Sequence, residues 1–505
     1  MFPIGHLYRG CRRNPDGIAV EDGARSLTHC ELVIRVDALA AALQAMFPRP
    51  QSRIGVCGYN TIEHLVALLA VYASGHVWVP LNPRNGKPEL DAAIESTGLA
   101  AIIADENCLD RFSPTDRPVI LGKTEAGDRD QRTLDGLVER HRGSRPAWPR
   151  VALGDVQGIK FTGGSTGRPK GVMQSYRCVN TSIATMLRTY GLAGDDVNLC
   201  ASPLTHAASH FILPILSEGG RQILLDRPKA ADILDALEHR GATTVFLPPT
   251  MIYNLMAEPS ASRRRFPALR HLIYGAAPMP PERIREARAL FNNTVETLYG
   301  QTEAPMLITA MTAPDFAEER NLASVGPGTM LSEVAIMAPD GAVLPAGEIG
   351  EIVTRGDLVM NGYLDMPEET AKTIVDGWLH TGDVGMLDER GYLYIKDRLR
   401  DVIISGGFNV YPSDVEAALA QHRAVYECMV FGVPDAKWGE RVEAAVQLHP
   451  GASASAEELI AFVKERVGSV KAPKTVHVVA DLPRSAVGKV LRREVKRLFG
   501  PPPPA

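Results

Sequence analysis

The chain reads as an α/β protein: a large N-terminal body of parallel, helix-covered sheets with a small barrel-like subdomain, followed by an α+β C-terminal lobe. Three observations predict this. Apolar runs of strand length alternate with helix-length segments through residues 28–274, the pattern changes to short runs broken by Gly and Pro at 323–356, and a new strand and helix order begins beyond Asp401. A chain of 505 residues also exceeds what one hydrophobic core supports, so a body and a smaller lobe are expected. In order, residues 28–46 carry the period of an amphipathic helix, 53–58 a strand, 62–73 a helix apolar all round, and 77–81 a second strand. The short run Gly158-Ile159-Lys160-Phe161 is a strand opening into a loop. The rhythm returns with a strand at 197–201, a helix at 230–240, and strands at 243–247 and 269–274. Within the barrel-like stretch, Pro339-Asp340-Gly341 is a turn between apolar runs. The lobe reads as a strand at 402–405, a helix at 412–421, strands at 428–433 and 443–448, and a helix at 456–467. No internal repeat is found.

Composition narrows the class of protein. With 45% apolar and 22% charged residues, and no low-complexity tract before the run of prolines at 501–504, the chain has a globular composition. A net charge of -5 predicts no nucleic-acid partner. The longest apolar stretches, such as 65–73, are too short for a bilayer, so no integral membrane segment is expected. The first residues carry no basic-then-apolar signal, and the chain does not end in Ser-Lys-Leu. Seven cysteines without a Cys-x-x-Cys pair suggest reduced thiols in a cytoplasmic protein and argue against zinc.

Five segments carry chemistry. Thr162-Gly163-Gly164-Ser165-Thr166-Gly167-Arg168-Pro169-Lys170 follows a strand and joins small residues and hydroxyls to a lysine, as wrapping a polyphosphate requires. It is no Walker loop, because Pro169 precedes the lysine and removes a backbone donor. Tyr299-Gly300-Gln301-Thr302-Glu303 offers an aromatic plate for a base and a carboxylate for a phosphate-bound metal. Trp378-Leu379-His380-Thr381-Gly382-Asp383 ends on a carboxylate suited to two ribose hydroxyls. Asp397-Arg398-Leu399-Arg400-Asp401 is a charged connector leading through a strand ending at Ser405 into Gly406-Gly407-Phe408-Asn409, and Arg484-Ser485-Ala486-Val487-Gly488-Lys489 sets a lysine behind a glycine.

In order and spacing these segments resemble the adenylate-forming superfamily of acyl-CoA synthetases, peptide-synthetase adenylation domains and luciferases, most closely an acyl- or aryl-CoA synthetase. The resemblance covers nearly the whole chain. It implies a two-step ligase using ATP, Mg²⁺ and coenzyme A, in which a carboxylate joins the α-phosphate with loss of pyrophosphate and the acyl group then passes to a thiol. Residues 1–399 would be the adenylation body and 400–505 a mobile lobe pivoting at Arg400, where relatives more often have Asp or Lys. Lys489 would be the main catalytic cation, since two anions must be brought together; the other reading is a surface lysine in a basic tail with Arg492, Arg493, Lys496 and Arg497. Glu303 would hold Mg²⁺, Thr302 and the hydroxyls of Thr162, Ser165 and Thr166 would bind phosphate with the Gly163, Gly164 and Gly167 backbone, and Lys170 would sit near the departing pyrophosphate. Asp383 and Arg398 would grip the ribose, and Gln301 would belong to the ATP site. Gly275, Ala276, Ala277, Pro278 and Tyr299 would enclose the adenine.

His206, in Ser202-Pro203-Leu204-Thr205-His206, corresponds to a gate beside the acyl pocket. Its spacing to His210 also suits a metal on one helical face, without an intervening glutamate. The expected acyl liners are His206, Ala207, Phe246, Tyr274, Leu298, Gly300 and Met306, an apolar set favouring a medium-chain or aromatic acid, with Tyr274 shortening the cavity. No acidic residue between Leu204 and His210 pairs an amino-acid ammonium, and no carrier segment follows Lys489, so CoA is favoured as acceptor. Ser405, Gly406, Gly407, Trp438 and Lys471 would contact it, with Lys437 and Arg441 beside Trp438. Transfer to a separate carrier protein and luciferase-like oxygenation are the alternatives. A homodimer is compatible with the resemblance.

Overall fold

The computed structural model describes residues 2–23, 25–124, 132–148, 150–162, 169–435, 437–484 and 490–499. Two large sheets build the body. In the eight-stranded sheet, neighbours run Thr309–Met311, Val295–Tyr299, His271–Tyr274, Thr244–Leu247, Val197–Cys200, Arg221–Leu224, Ile18–Asp22 and Arg25–Thr28, parallel except for the antiparallel pair at each edge. The seven-stranded sheet runs Gly362–Tyr363, Lys170–Ser175, Val156–Thr162, Val77–Leu81, Arg53–Cys57, Ala101–Ala104 and Val119–Leu121, with its last five strands parallel. Strands such as Thr244–Leu247 are buried at every position, because helices cover both faces of a parallel sheet.

The helix Ile62–Ser74 is buried along its whole length, which explains why its sequence is apolar all round. It starts where the Thr61 side chain accepts a bond from the His64 backbone N–H, and it ends at Gly75, whose φ of 77° stops the helix in the left-handed region. Its core also contains residues of the helices His29–Met46 and Ile212–Glu218. On the eight-stranded sheet, alternation sorts side chains to two cores. Val245, Leu247, Leu272 and Tyr274 face one, while Phe246, Ile273 and Leu298 face the other.

The expected barrel-like subdomain is an antiparallel sheet of Glu333–Met337, Gly350–Arg355, Trp378–Leu387, Ile374–Val375 and Leu393–Arg398, reaching further along the chain than residues 323–356. The α+β lobe pairs Phe408–Val410, Ile403–Ser405, Gly439–Leu448, Val425–Asp435 and Thr475–Val479, with helices Pro412–Ala420, Ala456–Lys471 and Arg492–Phe499.

Between the two sheets lies a single 3₁₀ turn, Leu399–Asp401. Arg400 is 55% exposed at its side chain and comes no closer than 3.9 Å to Asp401. Arg492 does the holding: its guanidinium contacts Asp397 at 2.8 Å, Asp401 at 3.1 Å and Glu416 at 2.9 Å. This corrects its reading as part of a solvated basic tail. Burial pushes the Glu416 carboxyl up in pKa and Arg492 opposes that shift. Removing the guanidinium leaves carboxylates partly buried without a counter-charge, a loss of about 3 kcal/mol. Arg492→Met is therefore expected to speed amide hydrogen exchange in residues 412–420 and 492–499 by about 100-fold, and unchanged exchange there would mean the network carries no stability.

Candidate active site

The stem of the expected phosphate loop is an antiparallel hairpin in which Thr162 pairs with Lys170. Gly163, Gly164, Ser165, Thr166 and Gly167 lie outside the described residues. Lys170 Nζ meets Glu369 Oε2 at 2.8 Å and stands 4.8 Å from the centre of the Tyr363 ring. The Tyr363 hydroxyl donates to Glu303 Oε1 at 2.9 Å. Burial first, and the Glu303 carboxylate second, raise the pKa of that hydroxyl, so it stays a donor. Glu303 is fixed through its backbone, where the Met360 N–H donates to its carbonyl at 2.8 Å, and Gln174 Nε2 donates to the Thr302 carbonyl at 2.8 Å.

Asp383 is the most constrained of the expected residues. It is buried; Oδ2 accepts from the Tyr299 hydroxyl at 2.7 Å and from Gln301 Nε2 at 2.6 Å, and Oδ1 meets Arg398 Nε at 2.7 Å. Strand register brings Asp383 and Arg398 together, since they are paired positions on adjacent strands. Tyr299 is only 8% exposed, so besides offering a ring it struts Asp383.

Gly275–Pro278, Gly300–Glu303 and Ser202–His206 all leave the carboxyl ends of parallel strands in one sheet, where ligand sites form in folds of this type. The backbone there is tight. A Cβ on Gly300 would lie 2.6 Å from Met306 backbone atoms, and one on Gly275 would lie 2.8 Å from the Leu298 side chain. Ala276 (φ 70°) and Met306 (φ 71°) hold left-handed conformations that cost a non-glycine residue energy.

Ala207, Phe246, Leu298 and Met306 share one apolar cluster with Phe211, which stacks on Phe246 at 5.4 Å. Tyr274 does not join them. Its side chain projects from the opposite face of the sheet, 6.4 Å from the Phe316 ring, because it is one residue out of phase with Phe246 and Leu298. His206 keeps an exposed edge, yet packing and then the charge of Lys160 push its pKa down to about 4. Its Nδ1 lies 3.0 Å from Thr205 Oγ1.

Lys160 and His210 were not among the expected liners. Lys160 is 8% exposed, its Nζ lies 2.7 Å from His210 Nε2 and 5.2 Å from the centre of the Trp78 ring, and burial lowers its pKa to about 7. The signal was a lysine inside the apolar run Gly158-Ile159-Lys160-Phe161.

In the lobe, Ser405 is buried, and Gly406 (φ 60°) and Gly407 (φ 83°) make the hairpin turn. The Gly406 N–H donates to the Trp438 carbonyl at 2.7 Å, and a Cβ there would press to 3.0 Å on the Trp438 ring. Lys437 and Lys474 stand 4.8 Å and 6.0 Å from that ring centre. Lys474 was missed, while Arg441 is bound to Glu443 and Asp435, and Lys471 to Asp414 at 3.2 Å. Lys489 lies outside the described residues; Arg484 and Val490, which flank residues 485–489, form an antiparallel bridge.

Strand-end loops around an anchored carboxylate, with a separate lobe beyond a short turn, define a two-part α/β enzyme. A family profile of AMP-binding enzymes matches residues 7–364, and one of the AMP-binding enzyme C-terminal domain matches 414–489. Over 495 residues the chain is 37% identical to a feruloyl-CoA synthase of an Amycolatopsis species, covering 97% of this chain and 98% of that protein. It is 33% identical over 513 residues to a medium/long-chain-fatty-acid–CoA ligase of Mycobacterium tuberculosis, covering 98% and 90%. The solved structure of the amide bond synthetase McbA from Marinactinospora thermotolerans matches with a TM-score of 0.88 at 31% identity, covering 98% of this chain and 100% of that one. The chain belongs to the AMP-binding enzymes, the adenylate-forming superfamily, and within it to the acyl- and aryl-CoA synthetases.

The buried amine makes stability depend on pH. Lys160 has a pKa of about 7 when folded, against the ordinary 10.5, with His206, His210 and Cys178 as the titratable groups acting on or acted on by it. Between those values the unfolded chain binds the proton and the folded chain does not, so this group's contribution to stability rises with pH from 7 to 10. Lys160→Met is expected to stabilise the body at pH 6 by an amount on the order of a few kcal/mol, a gain that shrinks toward pH 10 in urea titrations. A gain that stays constant across that range would show that the ammonium is compensated in solution.

Proposed function

We propose that this protein is an ATP-dependent carboxylic acid:CoA ligase that forms an acyl-adenylate, releases pyrophosphate and then AMP, and acts on a medium-chain fatty or aromatic acid. The observation that carries this reading is the convergence of Asp383, Glu303 and the strand-end loops at one edge of the sheet, with Thr162 and Lys170 bracketing the hydroxyl-rich loop. In the first step an oxygen of the acid bonds to the α-phosphorus as the bond to the leaving pyrophosphate oxygen breaks. In the second, the CoA sulfur, its proton lost, attacks the acyl carbon and AMP departs.

The barrier in step one is repulsion between two anions. Lys489 offsets it, while Lys170, held between Glu369 and the Tyr363 ring, receives charge on the leaving pyrophosphate. Thr162, Ser165, Thr166 and Thr302 supply hydroxyl donors to the phosphates. Asp383 and Arg398 orient the ribose, and Gly275–Pro278 with Tyr299 enclose the adenine. Among the described residues no group of three His, Cys, Asp or Glu side chains could hold a metal alone. A lone carboxylate such as Glu303 suits Mg²⁺, which takes its remaining oxygens from phosphates and water. Bound there, the ion would spread charge over the phosphates.

The boundary we propose is 399/400, with Arg400 as pivot, supported by its exposed side chain and by the single turn between sheets. The Trp438, Lys437 and Lys474 platform beside Gly406 supports CoA rather than a carrier protein as acceptor, since an aromatic ring with cations suits a nucleotide. No helix among the described residues is long and apolar enough to cross a membrane; we place the enzyme in the cytoplasm, with a homodimer as the assembly to be tested by sedimentation.

A pyrophosphate-release screen over carboxylic acids, with and without CoA, is expected to show acid-dependent release and CoA-dependent thioester. Release with no acid dependence would refute the ligase reading. Lys489→Ala is expected to slow adenylate formation by at least about 100-fold while leaving CoA capture of supplied acyl-adenylate near the parental rate. Equal loss in both half-reactions would refute alternation of the lobe.

A further inference from the structure

Lys160 is a buried amine with no ion-pair partner among the described residues. It is 8% exposed, and the group nearest its Nζ is the His210 imidazole at 2.7 Å. Burial and the adjacent ammonium hold that ring neutral, so His210 accepts a hydrogen bond without cancelling charge. The Trp78 ring lies 5.2 Å away, and Trp78 Nε1, fully buried, has no hydrogen-bond partner. A buried charge and a buried donor left this way are costly, and a fold retains them where something else completes them.

Position says what that is. Lys160 and Thr162 share a face of one strand, two residues or about 7 Å apart, so the amine lies one strand step from the stem residue of the proposed phosphate segment. His210 belongs to the short helix Ala207–Phe211, whose Ala207 and Phe211 pack with the Phe246, Leu298 and Met306 cluster. Through His210, Lys160 therefore adjoins that apolar cluster.

We infer that Lys160, assisted by His210, binds a second oxygen function of the acid, a hydroxyl or a carboxylate, carried away from the reacting carboxyl. The inference rests on the ligase reading and narrows its substrate class: a plain fatty acid leaves the ammonium unmet, whereas a hydroxylated aryl acid or a dicarboxylic acid completes it. Removing one buried partner from a polar pair discriminates strongly, because the partner left behind is desolvated and unpaired.

The test compares kcat/KM for 4-hydroxycinnamate against 4-methylcinnamate, and for octanedioate against octanoate, in the parent and in Lys160→Met. In the parent, the oxygen-bearing member of at least one pair is expected to lead by about 100-fold or more. The leading pair identifies hydroxyl or carboxylate as the recognised group. Lys160→Met is expected to bring that ratio close to one or invert it, and His210→Gln to lower it. Should Lys160→Met not fold, Lys160→Gln carries the same comparison. Three results would each overturn the inference while leaving the ligase reading intact: no preference in the parent, a preference unchanged in the variants, or an equal loss on all four acids, which would assign Lys160 to the reacting carboxylate. No acid-dependent pyrophosphate from a wider acid panel overturns the ligase reading and this inference with it.

Discussion

Parallel strands that end side by side impose the geometry of this enzyme. Val197–Cys200, Thr244–Leu247, His271–Tyr274 and Val295–Tyr299 are neighbours in one sheet, so the loops they emit emerge at a common edge. Those loops must turn sharply to leave room for a ligand, and the cost appears as left-handed backbone at Ala276 and Met306 and as the absence of space for a Cβ at Gly300. Helices covering both faces of the sheet hold the strand ends still and make that strain sustainable. The Asp383 carboxylate, arriving from the antiparallel subdomain, is then locked against Tyr299 and Gln301 of the same edge.

Charge is distributed unevenly around this edge. Lys170 is matched by Glu369, Arg398 by Asp383 and Arg492 by a carboxylate cluster, so each can be partly buried at modest cost. Among the described residues Lys160 has no such match, and its depressed pKa expresses that cost. The paired cations are held by carboxylates, whereas Lys160 lies against the His210 imidazole and the Trp78 ring.

Much of this was legible in the sequence because periodicity and turn chemistry are local. The buried helix, the parallel strands, the antiparallel subdomain and the lobe follow from runs of apolar residues and their punctuation. Segment order also brought Asp383, Arg398, Tyr299 and Gln301 into one expected site, and strand register realises it. What sequence could not give was side-chain phase across strands far apart in the chain. Tyr274 and Phe246 are both apolar and both near strand ends, yet one residue of register sends them to opposite faces. Lys160 and His210 are separated by fifty positions and meet only because the helix Ala207–Phe211 packs over the strand Val156–Thr162. Arg492 looked like a member of a basic tail, since its carboxylate partners come from three different elements.

The lobe connection follows from the same electrostatics. Asp397 ends the sheet of the body and Glu416 lies on the first helix of the lobe, so the Arg492 guanidinium ties residues on both sides of the Leu399–Asp401 turn. A turn of the lobe about Arg400 must either carry this cluster intact or break it. Breaking it leaves partly buried carboxylates unmatched, which is expensive, whereas Arg400 itself is solvated and changes direction at little cost. If the lobe turns about Arg400, the Arg492–Asp397 contact crosses the pivot and has to be exchanged, while Asp401 and Glu416 travel with the guanidinium. Other contacts between body and lobe are peripheral, such as Arg283 Nη2 with the Tyr426 carbonyl at 3.4 Å and with His449 at 3.2 Å. They are long and weak, as contacts must be if the lobe is to leave one position for another within a catalytic cycle.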